Sequence, residues 1–361
     1  MRRLLLPVLA AAALAACSTS ANSPEPTPPA SPSSTPQPTA ATEPVLAGDV
    51  LTGLEAPWSV VPLSGDRALI SERDTGRIRL LQDDRTTTIG EPPGVVAEGE
   101  GGLLGLAVRS PDPDRVFAYY TAAADNRVVV FDFDGERLSN ERIVLTGIPK
   151  GFVHNGGRIA FGPDGFLYVA TGETGQPDLA QDLGSLAGKI LRVTAAGEPA
   201  PGNPDPQSPV WSYGHRNVQG LAWDDRDRLW ASEFGQDDVD ELNLIEPGGN
   251  YGWPQCEGDC DAPGTTNPKA TWSPTATASP SGLAIVDGSA WVAALRGQAL
   301  YQVPLAGTRA RQPVAWFSDE LGRLRDVVEA PGGGLWVVTN NTDGRGAPKA
   351  GDDRIVQVDL S

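Results

Sequence analysis

Only two histidines occur in the chain, and each lies in a compact cluster of polar residues and glycine. His154 opens the segment HNGGR, and His215 lies in GHRNVQG. Histidine has an unperturbed pKa of about 6.5, so it takes up and releases protons near neutral pH. We predict that His154 is a general base beside a ligand. A histidine that only hydrogen-bonds a turn is the alternative, and for His215 we expect such a structural role.

Arginines are the second group of residues with potential chemistry. Arg216 follows His215 and would supply a fixed cation, while Asn217 would supply an amide donor. Arg323 and Arg325 alternate in RLRDV, and residues i and i+2 of a strand share a face. Their guanidinium groups should therefore point the same way, which suits the binding of carboxylates through paired hydrogen bonds. A solvated strand face is the alternative.

A recurring pattern indicates the elements that carry these residues. An apolar run, a short turn rich in Pro, Asp and Gly, and a second β-rich run recur six times, roughly 45 to 60 residues apart. The copies lie at 59–72, 105–121, 158–172, 220–235, 282–297 and 326–340. Each is typical of a strand hairpin, and the spacing matches a four-stranded blade. The pattern predicts an all-β, six-bladed β-propeller, with a β-sandwich as the alternative. Loops at one end of a propeller converge on its channel, so distant motifs can share one site.

The first 44 residues differ in composition from the rest of the chain. Two arginines precede an apolar run that ends in LAAC, which resembles the bacterial lipobox and is too short to span a bilayer. We expect residues 1–16 to be a signal peptide and Cys17 to be lipidated, with plain secretion as the alternative. Residues 17–44 are almost entirely Ser, Thr, Pro, Ala and Glu, and we expect a disordered tether to a propeller domain at 45–361. The protein would then be exported and anchored outside the cell membrane by its lipid alone.

The overall charge and the cysteines limit the possible partners. A net charge of −18 and a pI of about 4.5 argue against nucleic acid or anionic membrane surfaces as partners. Besides Cys17, the chain has only Cys256 and Cys260, and an exported protein lies where such a pair oxidises. We expect a small loop disulfide, since a zinc site would need further ligands.

Six motifs, taken together and in order, resemble the soluble quinoprotein glucose/sorbosone dehydrogenases, which include the soluble aldose sugar dehydrogenases. The motifs are EGGLLGLAV, HNGGRIAFGPDGFLYVATG, GHRNVQGLAW, SEFGQDDVDELNLI, GGNYGWP and GRLRDV. The resemblance covers nearly the whole region after the tether. It implies a six-bladed propeller that holds pyrroloquinoline quinone (PQQ) with calcium near the channel mouth. The activity it implies is oxidation of an aldose at C1 to its lactone.

The resemblance also implies roles for the candidate residues. His154 corresponds to the base that removes the C1 hydroxyl proton as a hydride passes to PQQ. Arg216 and Asn217 would face PQQ, with Arg216 close to the quinone oxygen that gains negative charge on reduction. PQQ carries three carboxylates, and the further residues expected to contact it are Arg296, Arg323, Arg325 and Thr277. Glu100 stands where the family often has a glutamine, near the substrate.

Calcium binding is implied in the same way. Calcium takes six to eight oxygen ligands and accepts backbone carbonyls. The corresponding carbonyls here are those of Gly235 and Gln236, which would join atoms of PQQ around the ion. Phe234 departs from the family, because that place can hold a polar side chain in contact with the cofactor. Glu241 and Tyr251 match positions that bind a second, structural calcium in some relatives, and an exposed acidic turn is the alternative.

The sequence leaves two other functions as alternatives. A calcium-dependent lactonase uses the same scaffold, but it needs several carboxylates or amides around the metal, whereas this candidate site is rich in arginine. A non-catalytic binding propeller is opposed by the presence of His154 together with those arginines. For an aldose dehydrogenase we expect aldose sugars as substrates and an external quinone, cytochrome or dye as electron acceptor. Long inserted loops are not evident, so we expect a shallow, promiscuous site and a monomer.

Overall fold

The structure is a computed structural model that describes residues 43–360. Within this range the chain forms 25 strands and two short 3-10 helices, and the strands make six antiparallel sheets. The prediction of an all-β, six-bladed β-propeller is confirmed. The expected signal peptide, Cys17 and nearly all of the expected tether lie outside the described residues. No helix between residues 43 and 360 has the length and apolar character that crossing a membrane requires.

The blades follow one another along the chain, and the first strand, β1 (Pro44–Leu51), belongs to the last of them. Blade 1 consists of β2 (Pro57–Pro62), β3 (Ala68–Glu72), β4 (Ile78–Gln82) and β5 (Arg85–Gly90). Blade 2 consists of β6 (Leu103–Ala107), β7 (Arg115–Thr121), β8 (Asn126–Phe133) and β9 (Leu138–Ile148). Blade 3 consists of β10 (Ile159–Phe161), β11 (Leu167–Ala170), β12 (Lys189–Val193) and β13 (Val210–Tyr213).

The second half of the propeller repeats this arrangement. Blade 4 consists of β14 (Val218–Trp223), β15 (Leu229–Glu233), β16 (Asp240–Ile245) and β17 (Ala270–Trp272). Blade 5 consists of β18 (Pro280–Val286), β19 (Ser289–Ala294), β20 (Ala299–Ala306), β21 (Arg309–Ala310) and β22 (Val314–Trp316). Blade 6 consists of β23 (Leu324–Glu329), β24 (Leu335–Thr339), β25 (Ile355–Leu360) and β1. The 3-10 helices span Pro177–Ala180 and Thr275–Thr277.

Each sequence repeat corresponds to the two inner strands of one blade. Gly-Leu-Ala occurs in three of the repeats, on the inner strands β6, β14 and β18, where neighbouring blades approach most closely. A Cβ atom added at Gly220 would lie 2.5 Å from the carbonyl oxygen of Ser281 in the next blade. Only glycine fits such an approach, which explains why the repeat carries it at the channel.

Hydrophobic side chains fill the spaces between blades. Six buried clusters form a ring, each made mainly by two adjacent blades. Trp230, Trp272 and Trp291 are buried in these clusters rather than exposed to solvent. This packing fixes the angle between blades, and therefore the positions of the loops at the ends of the strands.

Candidate functional site

Loops at one end of the propeller converge on a cavity of about 340 Å³ at the central channel. Its volume lies within the roughly 300–1,000 Å³ of typical small-molecule sites. Inner strands of blades 1, 4 and 6, loops at blades 1, 4, 5 and 6, and the loop before blade 2 line it. The lining residues are Trp58, Arg73, Glu100, Gln219, Phe234, Ser279, Leu295, Arg296, Arg323, Arg325 and Arg345. Among the described residues a larger groove, of about 1040 Å³, runs beside the outer strands β5 and β9, but no predicted site residue lines it. The channel cavity is therefore the candidate site.

Five arginines and one carboxylate line this cavity, although the whole chain is strongly acidic. Arg325 is 4% exposed, and its Nη1 donates to Gln219 Oε1 at 2.7 Å. Burial, together with the nearby charges of Arg73 and Arg323, lowers the pKa of Arg325 to about 9, so the group is still charged at pH 7. The Nε atoms of Arg323 and Arg325 are buried without a hydrogen-bond partner among residues 43–360. Such concentrated positive charge favours an anionic ligand.

His154 lies in the loop between blades 2 and 3, in a left-handed backbone conformation with φ of 55°. Its ring Nδ1 forms a short contact with the carboxylate of Glu173, which is 1% exposed. Gly172 permits this arrangement, because a Cβ there would lie 2.0 Å from the carbonyl oxygen of His154. With Nδ1 held by Glu173, Nε2 is the ring nitrogen left for proton transfer.

A continuous set of hydrogen bonds links His154 to the arginines. The main-chain N–H of His154 donates to Glu100 Oε2 at 2.8 Å, and Arg345 Nη1 donates to Glu100 Oε1 at 3.1 Å. The main-chain N–H of Arg345 donates to Asp343 Oδ1, whose other oxygen accepts from Arg323 Nη2 at 3.0 Å. Burial alone would raise the pKa of Glu100, but the N–H of His154 and the charge of Arg345 outweigh it and lower the pKa. Glu100 is therefore an ionised carboxylate on the cavity wall.

Arg216 lies beside the His154–Glu173 pair rather than on the cavity wall. Its carbonyl accepts from the N–H of Glu173 at 2.9 Å, and its Nε donates to Gln236 Oε1 at 3.1 Å. Burial lowers the pKa of Arg216, while nearby carboxylates led by Glu173 oppose this effect. Asn217 Oδ1 accepts from the N–H of Gly156 at 3.0 Å, so this side chain supports the His154 loop.

The remaining predicted cofactor contacts divide into two groups. Arg296, Arg323 and Arg325 line the cavity. Thr277 does not: it lies in the second 3-10 helix, and its carbonyl accepts from the hydroxyl of Tyr301 at 2.9 Å. Ser279, two residues further on, lines the cavity instead.

His215 is completely buried and occupies a structural position. Its Nδ1 lies 2.8 Å from Glu233 Oε2, its Nε2 lies 2.9 Å from Ser212 Oγ, and its ring stacks on Tyr251. These buried contacts agree with the structural role that we expected for His215.

The residues assigned to calcium lie on blade 4. Phe234 lines the cavity, and Gly235 and Gln236 follow it in the loop between β15 and β16. Glu241 accepts from Gly258 N–H at 2.7 Å, and burial together with the charge of Glu233 raises its pKa to about 8. The Tyr251 hydroxyl donates to the carbonyl oxygen of Leu244 at 2.7 Å. A disulfide joins Cys256 to Cys260 in the loop that follows. In residues 43–360, no three His, Cys, Asp or Glu side chains are grouped to hold a metal ion.

Several residues at or next to the candidate site were not predicted from the sequence. They are Arg73, Glu173, Gln219, Asp343 and Arg345. For Glu173 a signal existed, because an acidic residue ends or follows the second strand in three repeats, at Glu72, Glu173 and Glu233. Arg345 and Asp343 lie in the β24–β25 loop, outside any motif, and only the folded ring brings that loop to Glu100.

Comparison with known proteins identifies the family. A family model described as glucose/sorbosone dehydrogenase matches residues 54–347. The chain belongs to the glucose/sorbosone dehydrogenase family. This membership confirms the family predicted from the six motifs.

Three similar proteins match between 58% and 90% of the chain. The structure of a PQQ-bound aldose sugar dehydrogenase from Streptomyces coelicolor is 53% identical, covers 90% of this chain and 100% of its own, and has a TM-score of 0.87. Aldose sugar dehydrogenase YliI of Escherichia coli is 29% identical over 330 residues, or 81% of this chain and 89% of its own. A Synechocystis protein is 36% identical, and the chain spans 59% of its length.

Proposed function

We propose that the protein is a quinoprotein oxidoreductase that oxidises the C1 hydroxyl of aldose sugars to lactones by hydride transfer to PQQ. The observation that carries this proposal is the connection of the His154–Glu173 pair, through Glu100, to a cavity lined by five arginines. Family membership and the similarity to a PQQ-bound aldose sugar dehydrogenase support it.

The cavity residues fit a small ligand with several carboxylates. Arg296, Arg323 and Arg325 line it, and the buried, unpartnered Nε atoms of Arg323 and Arg325 are donors that a carboxylate would satisfy. These three arginines would hold the carboxylates of PQQ. When bound, PQQ supplies the acceptor for the electron pair that leaves C1 with its hydrogen.

Calcium fits the same region through main-chain oxygen atoms. Phe234 lies on the cavity wall, and Gly235 and Gln236 directly follow it in the chain. Calcium readily accepts backbone carbonyls as ligands. Their carbonyls, together with oxygen atoms of the cofactor, would hold the ion, which would act there as a Lewis acid.

The protein side chains would perform the proton chemistry. His154 Nε2 takes the proton of the C1 hydroxyl, and the buried carboxylate of Glu173 holds Nδ1–H and stabilises the ring as it becomes positive. Glu100, fixed by the N–H of His154 and by Arg345, accepts a hydrogen bond from a sugar hydroxyl at the cavity wall. Arg216 supplies a buried positive charge beside Glu173.

A steady-state assay tests the proposed function. Purified protein with PQQ, calcium and a dye acceptor is mixed with a panel of aldoses, and dye reduction is followed. We expect turnover on several aldoses that depends on both PQQ and calcium. Absence of turnover on every aldose, in protein that binds PQQ, would remove the substrate claim. Hydrolysis of lactones without PQQ would favour the lactonase, and failure to bind PQQ would favour the non-catalytic propeller.

We also propose that the protein is exported and anchored to the cell membrane by a lipid. The lipobox-like sequence supports cleavage after residue 16, lipid attachment at Cys17, and a tether to residue 44 that holds the domain outside the cell membrane. Glu241 and Tyr251 would contribute to a second, structural calcium site. We also propose an external quinone, cytochrome or dye as electron acceptor, and a monomeric protein.

A further inference from the structure

Glu257 lies inside the short loop that the Cys256–Cys260 disulfide closes. Its Oε1 accepts hydrogen bonds from four consecutive main-chain N–H groups, those of Gln236, Asp237, Asp238 and Val239, at 2.8, 3.0, 2.9 and 3.0 Å. Its Oε2 lies 3.2 Å from the N–H of Asp237. Successive N–H groups that point to one centre form a concave anion site, and here a side chain of the same protein fills it.

The loop at residues 235–239 packs tightly against the disulfide loop at residues 256–260, with no space for a further atom. A Cβ added at Gly235 would lie 2.5 Å from Glu257 Oε1 and 1.8 Å from the carbonyl oxygen of Val239. On the other side, the N–H of Gly258 donates to Glu241 Oε1 at 2.7 Å, which ties the disulfide loop to β16. Glu257 is therefore held from both sides.

The hydrogen bonds to Glu257 also fix the direction of two main-chain carbonyl groups, because each peptide bond is planar. A trans peptide is planar, and its C=O points opposite to its N–H. The N–H of Gln236 belongs to the same peptide as the carbonyl of Gly235, and the N–H of Asp237 to that of Gln236. Because both N–H groups point to Glu257, both carbonyls must point away from it.

We propose that Glu257 is a positioning residue that orients the carbonyls of Gly235 and Gln236 for calcium, and that the Cys256–Cys260 disulfide holds Glu257 in place. This inference rests on the proposed function, which assigns calcium to these two carbonyls. Glu257 acts through the main chain and does not line the channel cavity. Loss of such a supporting partner of a metal ligand typically weakens metal binding about 10–100-fold.

Variants of the full chain test the role of Glu257. Glu257→Ala removes the acceptor, whereas Glu257→Gln keeps an oxygen that can accept N–H bonds. Asp259→Ala is the matched control, because it removes an exposed carboxylate from the same disulfide loop. Hydrogen–deuterium exchange without cofactor or metal reports on the amides of residues 236–239. Calorimetric titration with calcium chloride, in the presence of PQQ, reports the affinity.

We expect faster exchange confined to residues 236–239 in Glu257→Ala, and calcium binding weakened about 10–100-fold. Glu257→Gln should recover part of both effects, and the double variant Cys256→Ser, Cys260→Ser should show a smaller loss in the same direction. Asp259→Ala should match the wild type.

Three results would overturn the proposal. They are wild-type exchange at residues 236–239 in Glu257→Ala, wild-type calcium affinity in that variant, and faster exchange spread over the whole chain with a lowered unfolding temperature. The exchange experiment needs neither PQQ nor calcium. A wild-type protein that binds neither ligand would thus contradict the proposed function, while the positioning of the loop by Glu257 would still be tested.

Discussion

The buried carboxylate of Glu173 determines which nitrogen of His154 can take a proton. In Glu173→Gln the amide can donate to Nδ1 and so favour the tautomer with hydrogen on Nε2, which cannot act as a base. We expect kcat to fall about 10²–10⁴-fold, the usual contribution of general acid–base catalysis, with little change in KM. Steady-state kinetics of the PQQ-loaded protein measure this, with Glu246→Gln on an exposed turn as the control. A kcat within a factor of about two of the wild type would contradict the role of Glu173.

Replacement of Arg325 should weaken cofactor binding much more than it lowers the stability of the fold. It is buried near Arg73 and Arg323, and its Nε lacks a partner among the described residues. Arg325→Met should therefore cost little stability, but it removes charge-assisted hydrogen bonds worth about 1.5–3 kcal/mol, or roughly 10–100-fold in Kd. Absorbance titration with PQQ and thermal unfolding measure the two effects, with the surface variant Arg142→Met as control. Equal PQQ affinity in Arg325→Met and wild type would show that the cavity is not the cofactor site.

The site could be predicted in part from residue types and spacing. Arg323 and Arg325 both line the cavity, as the alternation in RLRDV predicted, although only Arg325 lies on strand β23 and Arg323 directly precedes it. The contacts of Glu100 with Arg345 could not be predicted, because they join residues 245 positions apart. Such pairs arise only when the ring of blades closes, and no local pattern records them.

At the scale of an element, strand β16 carries a pH-sensitive carboxyl. Burial and the charge of Glu233 raise the pKa of Glu241 from 4.5 to about 8. The folded state thus keeps a proton that the unfolded state loses, so this contribution to stability is present below pH 4.5 and is lost as pH rises through 8. We expect Glu241→Gln, in calcium-free buffer, to raise the unfolding temperature by several degrees at pH 9 and by much less at pH 5.

Circular dichroism melts at pH 5, 7 and 9 with a chelator measure this difference. An equal difference at pH 5 and pH 9 would contradict the raised pKa. Melts with added calcium test the proposed second calcium site. A calcium ion bound at Glu241 would stabilise the wild type at pH 9 but would not stabilise the variant.

The sequence predicted the inner strands of the blades better than the outer ones. Inner strands such as β14 and β15 pack on both faces and repeat the same apolar pattern around a tight turn. Outer strands such as β9 and β13 have mixed burial and differ in length, so their sequences carry no common signal. The role of β1 was not predicted either, since its partner lies at the other end of the chain.

At the scale of the whole molecule, β1 closes the ring. It pairs with β25 in antiparallel register, with Pro44 opposite Leu360 and Leu51 opposite Ile355. Deletion of residues 43–51 would leave β25 as an unpaired edge, which promotes aggregation. We expect a lower unfolding temperature and loss of PQQ binding, because blade 6 and its loops carry Arg323, Arg325 and Arg345. The control is a chain that lacks only residues 1–42, and we expect it to unfold at the same temperature as the full chain. Equal unfolding temperatures for the two deletions would contradict ring closure by β1.

The central claim is that His154 takes a proton beside a cavity formed by residues from several blades. Anaerobic rapid mixing of the PQQ-loaded protein with an aldose, without electron acceptor, follows reduction of the cofactor by absorbance in a single turnover. His154→Asn is the variant of choice, because asparagine tolerates the left-handed backbone at this position. We expect the variant to bind PQQ as the wild type does and to reduce it about 10²–10⁴-fold more slowly. Reduction at the wild-type rate in His154→Asn would contradict the account.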